Sequence, residues 1–408
     1  MNDNKKYEEM KEVKVFVGID IGKEKHFVSL INKEGRTLIT GFELTNTLEG
    51  FENLVKMFEL NGSPKDIAIG FEPTGHYWKA LGYFLNEKGY RIFLINPYHV
   101  KLSKELRDNR QRKTDKKDSA LICNLLREGK YLNTLLLDEE YELLRRLTLL
   151  RDKILEDNKR IQIRLITLLD EYLPEYVGCF SQLRGKASIG LLNKYGISGL
   201  RFNDKRDEII KDIRYFSKKR ISEQKSCYIE KVLRESVGLK RALIASEMEL
   251  RTWIDELSSN MNKLKNIESK IEDVLDKTEE GEYLLSIKGV GIITIANILG
   301  QTGSFKNYKS YKQIEKLAGL ELIENSSGKK VGEKKISKRG RDKLRCSLYQ
   351  VSVSCIAKNK ELKNCYDKKV KEQKKNKMVA LTSVSIKVLR IMFSLVKNKS
   401  LYDSTKVS

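Results

Sequence analysis

Val13-Lys14-Val15-Phe16-Val17-Gly18-Ile19-Asp20-Ile21 is the stretch from which the fold is read. β-Branched and aromatic residues fill it, so it predicts a strand with an acid at its end. Two more strand-like runs follow, 26–31 and 36–44, punctuated as hairpins by Gly22 and by residues 32–35. The spacing of Phe51, Leu54, Val55 and Phe58 predicts a helix over 48–60. Asp66-Ile67-Ala68-Ile69-Gly70-Phe71-Glu72 is a short buried strand, again ending in an acid. Pro73-Thr74-Gly75 then turns into a helix over 76–88, and 90–95 is a further strand closed by Asn96-Pro97. Three antiparallel strands followed by β-α-β alternation predict an α/β domain, a mixed sheet with flanking helices.

After Lys130 the strands stop. Leu147, Ile154, Ile161 and Leu168 recur every seven residues on a charged background. Leu250, Ile254, Leu257, Met261, Leu264, Ile267, Ile271 and Val274 alternate steps of three and four. Both patterns predict long amphipathic helices, packed on each other or as a coiled coil with a second subunit, a dimer or tetramer. Residues 174–226 are basic and less regular, and only short helices are expected there. From Glu282 a third, mainly helical region begins. Its Leu285-Ser286-Ile287-Lys288-Gly289-Val290-Gly291-Ile292 has the look of a helix-hairpin-helix turn, whose glycines would let the backbone approach a phosphate. The expected organisation is therefore 1–135, a mixed-sheet α/β domain; 136–280, a helical coiled-coil region; and 281–408, a C-terminal domain.

Composition narrows the partners. The 408 residues carry 79 Lys and Arg against 56 Asp and Glu, a net charge of +23 that attracts polyanions. Nucleic acid is the first candidate and an anionic membrane surface its rival. On this reading no apolar run is long enough to span a bilayer, and the polar N-terminus lacks a signal peptide's apolar stretch, so the cytoplasm is expected. Six scattered cysteines without C-x-x-C spacing indicate neither zinc nor disulfides. All three histidines, His26, His76 and His99, fall in the first hundred residues, so a metal site elsewhere must use carboxylates.

Such carboxylates occur in Arg112-Lys113-Thr114-Asp115-Lys116-Lys117-Asp118. Asp115 and Asp118 are three apart at the start of a helical run and share its face. With Asp20 and Glu72 at strand ends, they make four acids that an open sheet could gather at one edge. Four carboxylates form a hard-oxygen site suited to Mg²⁺ or Mn²⁺. Separately, each is an ordinary turn opener or helix-start acid. Basic clusters lie around Asp115, over 329–345 and over 368–377. Lys113, Lys116, Lys117, Lys329, Lys338, Arg339, Arg341 and Arg345 are candidates for nucleic-acid contact, through phosphates and without a sequence code. Tyr98, Tyr308, Tyr311 and Tyr349 could stack on bases or simply pack.

Several blocks together resemble the insertion-sequence 110 family of DEDD transposases, relatives of the Piv-type DNA invertases. They are Gly18-Ile19-Asp20-Ile21 with Lys23, Glu72-Pro73-Thr74-Gly75-His76-Tyr77, Lys113-Thr114-Asp115 with Asp118, Ser327-Gly328, Ile336-Ser337-Lys338-Arg339-Gly340 and Leu344-Arg345. Ser119 departs from the pattern, where the family usually has Ala. The resemblance implies a RuvC-type, ribonuclease H-like domain with Asp20, Glu72, Asp115 and Asp118 as metal ligands. It also implies a coiled-coil region, then a transposase domain whose serine, Ser327 (or its neighbour Ser326), attacks a DNA phosphate. DNA at the element's ends and target would be the substrate, and a structured guide RNA a partner. Three rival readings remain: an actin-like ATPase, which lacks its second phosphate loop here; a junction-resolving hydrolytic nuclease; and a noncatalytic scaffold.

Overall fold

The structure is a computed structural model that describes residues 10–404 apart from 74, 108–114, 134–135, 203 and 325–333, with the side chains of 106, 107, 115, 116, 133, 324 and 334 also left out. The chain forms two compact units, Met1–Leu136 and Leu137–Ser408.

In the first unit the order is β1 Val15–Ile21, β2 Lys25–Asn32, β3 Thr37–Thr45, α1 Leu48–Glu59, β4 Ile67–Phe71, α2 Trp78–Glu87, β5 Arg91–Leu94, α3 Pro97–Arg107, α4 Asp115–Arg127 and β6 Leu132–Asn133. The six strands make one mixed sheet in the order β3-β2-β1-β4-β5-β6. β1 pairs antiparallel with β2 and parallel with β4, and β4 runs parallel to β5. The expected mixed sheet with flanking helices is thus present, β1–β5 within two residues of the sequence reading; the short edge strand β6 lies beyond Lys130, where the sequence pattern ends the strands. Helix α3 was not anticipated, although Asn96 caps it by accepting from the Tyr98 amide at 3.0 Å and Pro97 opens it.

Side chains alternate across this sheet, and each face has its own core. Val15, Val17, Ile19, Ile67, Ile69 and Phe71 pack with Phe51, Leu54, Leu81 and Leu85 of α1 and α2. Phe16, Ile31, Ala68 and Phe93 face Leu121, Ile122, Leu125 and Leu126 of α4. On that second face the centre of the sheet is small: Ser29, Gly18 and Gly70 stand side by side in register. A Cβ at Gly18 would lie 2.1 Å from the Ser119 carbonyl oxygen and 2.6 Å from the Cys123 amide nitrogen. The backbone of α4 therefore rests almost directly on β1. Ser119, buried at that contact, shares a hydrogen bond of 2.7 Å with buried Ser29, while the Cys123 thiol donates to the Ser29 carbonyl at 3.0 Å. The hydroxyl at 119 is thereby satisfied in a dry contact.

The second unit is helical: α5 Glu139–Tyr172, α6 Tyr176–Cys179, α7 Lys186–Phe202, α8 Arg206–Phe216, α9 Glu223–Arg234, α10 Leu243–Leu275, α11 Glu279–Leu285, α12 Ile292–Thr302, α13 Tyr311–Leu317, α14 Asp342–Lys358, α15 Lys360–Asp367 and α16 Lys377–Asn398, with a hairpin of β7 Leu322–Glu324 and β8 Lys334–Ile336. Helices α5 and α10 pack antiparallel. Arg151 pairs with Glu268 at 2.7 Å, Asn260 donates to Asn158 at 3.0 Å, and Arg164 stacks 4.5 Å from the Trp253 ring, partner numbers falling as chain numbers rise. The two heptad stripes thus face each other within the chain. Met261 is an exception: it is exposed, and buried Asn260 takes the inward position opposite Asn158. A buried amide pair of this kind fixes helix register.

One half of α5 and α10 joins α6–α9 in a core around Ile161, Leu191, Ile213 and Ile254, which places elements in the segment 174–226. The other half joins α11–α16 around Leu144, Ile271, Ile298 and Leu348. The sequence reading of no membrane-length apolar run needs correction. Helix α16 is long and apolar enough to cross a membrane by length and composition. Its Val384, Val388, Leu389, Met392 and Val396 are buried in the core just described.

Gly18→Ala should destabilise the first unit by about 1–3 kcal/mol, because the added methyl meets helix backbone rather than a yielding side chain. Gly178→Ala, with nothing within 4 Å, should cost nothing. Urea unfolding followed by hydrogen–deuterium exchange of β1 and α4 peptides measures the difference.

Candidate carboxylate site

The parallel register of β1 and β4 sets Ile19 beside Phe71. One residue further, at the carboxyl ends of both strands, Asp20 and Glu72 are neighbours. Alternation puts them on the face of Gly18 and Gly70, the face that α4 covers. Because Ser119 lies over Gly18, the preceding residue Asp118 is brought to the same edge. The glycine two residues before each strand acid is what allows a helix start to reach it.

Electrostatics agree with that placement. Glu72 is half-buried, and burial is the main cause that raises its pKa. The charges of Asp20 and Asp118 push it up further, and the Lys104 ammonium opposes them. Lys104, on α3, donates to Asp118 Oδ2 at 2.6 Å. Three acids from three elements therefore share one local field, with Lys104 as a counter-charge. Asp115 begins α4 one turn before Asp118, and its side chain lies outside the described residues. Among the described residues no three His, Cys, Asp or Glu side chains stand close enough to grip an ion. The donor chemistry nonetheless fits a hard divalent cation: only carboxylate oxygens, already close enough to need a positive charge among them. No histidine contributes in the way a zinc site would ask; His26 is buried under the opposite face, its ring 6.4 Å from that of Phe51.

With this geometry in hand, comparison with known proteins is informative. A DEDD transposase model of the IS110 group matches residues 17–174, and a model of the transposase IS116/IS110/IS902 family matches residues 281–367. The chain belongs to the IS110 family of transposases. Its relatives include an uncharacterised 44.8 kDa protein of insertion element IS116 from Streptomyces clavuligerus, 20% identical over 95% of this chain and 96% of the relative. An uncharacterised 42 kDa protein of IS900 from Mycobacterium paratuberculosis is 21% identical over 95% and 97%. A mini-circle protein of IS117 from Streptomyces coelicolor, whose name proposes a transposase, is 22% identical over 78% of each chain. A transposase is a DNA-processing enzyme, so DNA is a partner of this chain.

The other candidate residues of the transposase are scattered. Lys113, Ser326, Ser327 and Lys329 lie outside the described residues, as does the Lys116 side chain, while Lys117 is exposed on α4. Residues 325–333 connect β7 to β8. Lys338 and Arg339 are exposed. Arg341 bonds the Gln301 carbonyl, and Arg345 donates to the Ala318 carbonyl at 2.8 Å, so both tie down ends of helices α12 and α13. Burial lowers the pKa of Arg341. Tyr98 is exposed, whereas Tyr308 donates to the Thr302 carbonyl at 2.6 Å and burial pushes its pKa up to about 12. The turn read as a helix-hairpin-helix does join two helices, α11 and α12. Its Gly289, at φ 103°, serves close packing: a Cβ there would stand 2.9 Å from the Ser354 carbonyl oxygen of α14. Lys104 was missed altogether, since one lysine among so many carries no signal until α3 is placed.

The raised pKa of Glu72 sets a pH dependence. Folded protein holds this proton more tightly than the unfolded chain, so its stabilising effect is present at low pH and is lost as pH rises above the ordinary glutamate range. In EDTA at pH 7, Glu72→Gln should raise the first unit's thermal midpoint by a few degrees, on the order of 2–5 °C, and flatten this dependence. Lys104→Met should lower the midpoint at the same pH. Scanning calorimetry across pH 4–8 measures both.

Proposed function

We propose that this transposase cuts and rejoins DNA by metal-assisted phosphoryl transfer at the edge formed by Asp20, Glu72, Asp118 and Asp115, with Ser327 as nucleophile and a structured RNA as guide. The observation that carries the reading is the adjacency of the two acid-bearing strand ends under the start of α4. The strand order β3-β2-β1-β4-β5, antiparallel in its first two pairings and parallel in the next two, with the short β6 added antiparallel at the edge, supports a ribonuclease H-like domain of the RuvC type. The net charge of +23 supports polyanionic partners in both DNA and RNA.

Mg²⁺ or Mn²⁺ held by these carboxylates would supply Lewis-acid activation and charge neutralisation at the scissile phosphate. The chain's own residues do the rest. Lys104 holds Asp118 in place and limits repulsion among the acids. The basic residues near the acids and the exposed Lys338 and Arg339 position the DNA backbone. Ser327 Oγ forms a bond to phosphorus as the bond from phosphorus to the leaving strand oxygen breaks; the serine proton passes to solvent or to that oxygen. Attack by a strand hydroxyl on the phosphoserine reverses the step, joins the DNA and frees the serine. Joining two DNA molecules calls for more than one site, hence a dimer or tetramer.

Asp20→Asn, Glu72→Gln and Asp118→Asn should each reduce strand exchange on supercoiled DNA carrying the element's ends by about 10²-fold or more, with nucleic-acid binding retained. Ser327→Ala should abolish the covalent protein–DNA adduct seen on denaturing gels, whereas Ser326→Ala should keep it. Full exchange in the acid variants would reject the reading, and undiminished cleavage by Ser327→Ala would convert it to a hydrolytic nuclease.

A further inference from the structure

Within the second unit, between α6 and the start of α7 on one side and the α8–α9 connection on the other, lies a cleft of about 690 Å³. Lys186, Lys218, Arg220 and Lys225 line it, and no carboxylate does. Several cations elsewhere on the same bundle are matched: Lys194 with Glu208 and Asp212, Arg206 and Arg234 with Glu230, and Arg214 with Glu223. The four cleft cations make no ion pair among the described residues. Four like charges around one concavity repel each other, and an anion placed among them relieves that repulsion. The wall also carries two rings, Phe180 and Phe216. Phe216 is seated against Gly190, where a Cβ would stand 2.7 Å from the ring. The first turn of α7, whose earliest internal bond is from the Ile189 amide to Gly185, adds outward-facing backbone amides at Lys186 and Ala187.

We propose that this cleft binds a single-stranded nucleic-acid segment, its phosphodiester backbone on the four cations and a base against the Phe180 or Phe216 ring. Cations supply affinity for phosphate, and aromatic rings accept only bases whose faces are unstacked. A duplex hides those faces in its own stack. The site contains none of the carboxylates and does not depend on their role.

The test is fluorescence anisotropy with labelled 12-nucleotide RNA, 12-nucleotide DNA and a blunt DNA duplex, using the full chain across a salt series. The Lys186→Gln/Lys218→Gln/Arg220→Gln/Lys225→Gln variant should bind single strands about tenfold or more weakly at low salt, with the salt slope reduced by roughly 2–3. A control that removes the same charge away from the cleft, Lys211→Gln/Lys231→Gln/Lys240→Gln/Arg241→Gln, should change neither by more than about twofold. Phe180→Ala should weaken single strands and leave the duplex unchanged. Circular dichroism melts establish that the variants fold. Preference for RNA or for DNA identifies the source of the strand. Equal losses in cleft and control variants, an unchanged affinity, or an equal loss for duplex would overturn the proposal.

Discussion

Helix α4 lies on β1 with no side chain between them, because residue 18 is glycine. Everything at the carboxylate site follows from that contact. If the helix stood off by the width of a side chain, Asp118 would be carried from the sheet edge where Asp20 and Glu72 end their strands. The pair of buried serines, Ser29 and Ser119, locks the same contact by a hydrogen bond instead of apolar packing. Cys123 completes it through its thiol, and burial holds that thiol well above the ordinary cysteine range, so it is a packing group and not a nucleophile. A transposase thus uses small residues in the interior to bring together acids that are distant in sequence.

The site is acidic in a chain that is strongly basic. Acids gathered at a strand edge repel one another: burial is the main cause that raises the pKa of Glu72, and the charges of Asp20 and Asp118 add to it. Lys104 offsets part of this. The chain's excess of Lys and Arg attracts the phosphate backbone of DNA. Arg341 and Arg345 qualify that picture, since they are anchored to backbone carbonyls inside the fold. A basic residue in a run can be structural mortar as readily as a phosphate ligand.

The sheet was legible because its strands alternate and its turns carry glycine, asparagine and proline. The strand-end position of Asp20 and Glu72 was legible for the same reason, and the helical spacing of Asp115 and Asp118 followed from their separation. Four features were not legible. Helix α3 was hidden because Asn96-Pro97 ends a strand and starts a helix with the same residues. The inward turn of Asn260 was hidden because an amide interrupts an apolar stripe that Met261 seemed to continue. Lys104 and the Ser29–Ser119 bond depend on elements far apart in the chain meeting, which no local pattern encodes.

The central claim is that Asp20, Glu72 and Asp118 share one edge and together accept a divalent cation. Anomalous diffraction from crystals of the full chain soaked in Mn²⁺ tests it most directly. A manganese peak within coordination distance of carboxylate oxygens from Asp20, Glu72 and Asp118 is the predicted result. Peaks found only elsewhere on the molecule, with Lys104 still holding Asp118 and these oxygens bare, would contradict it.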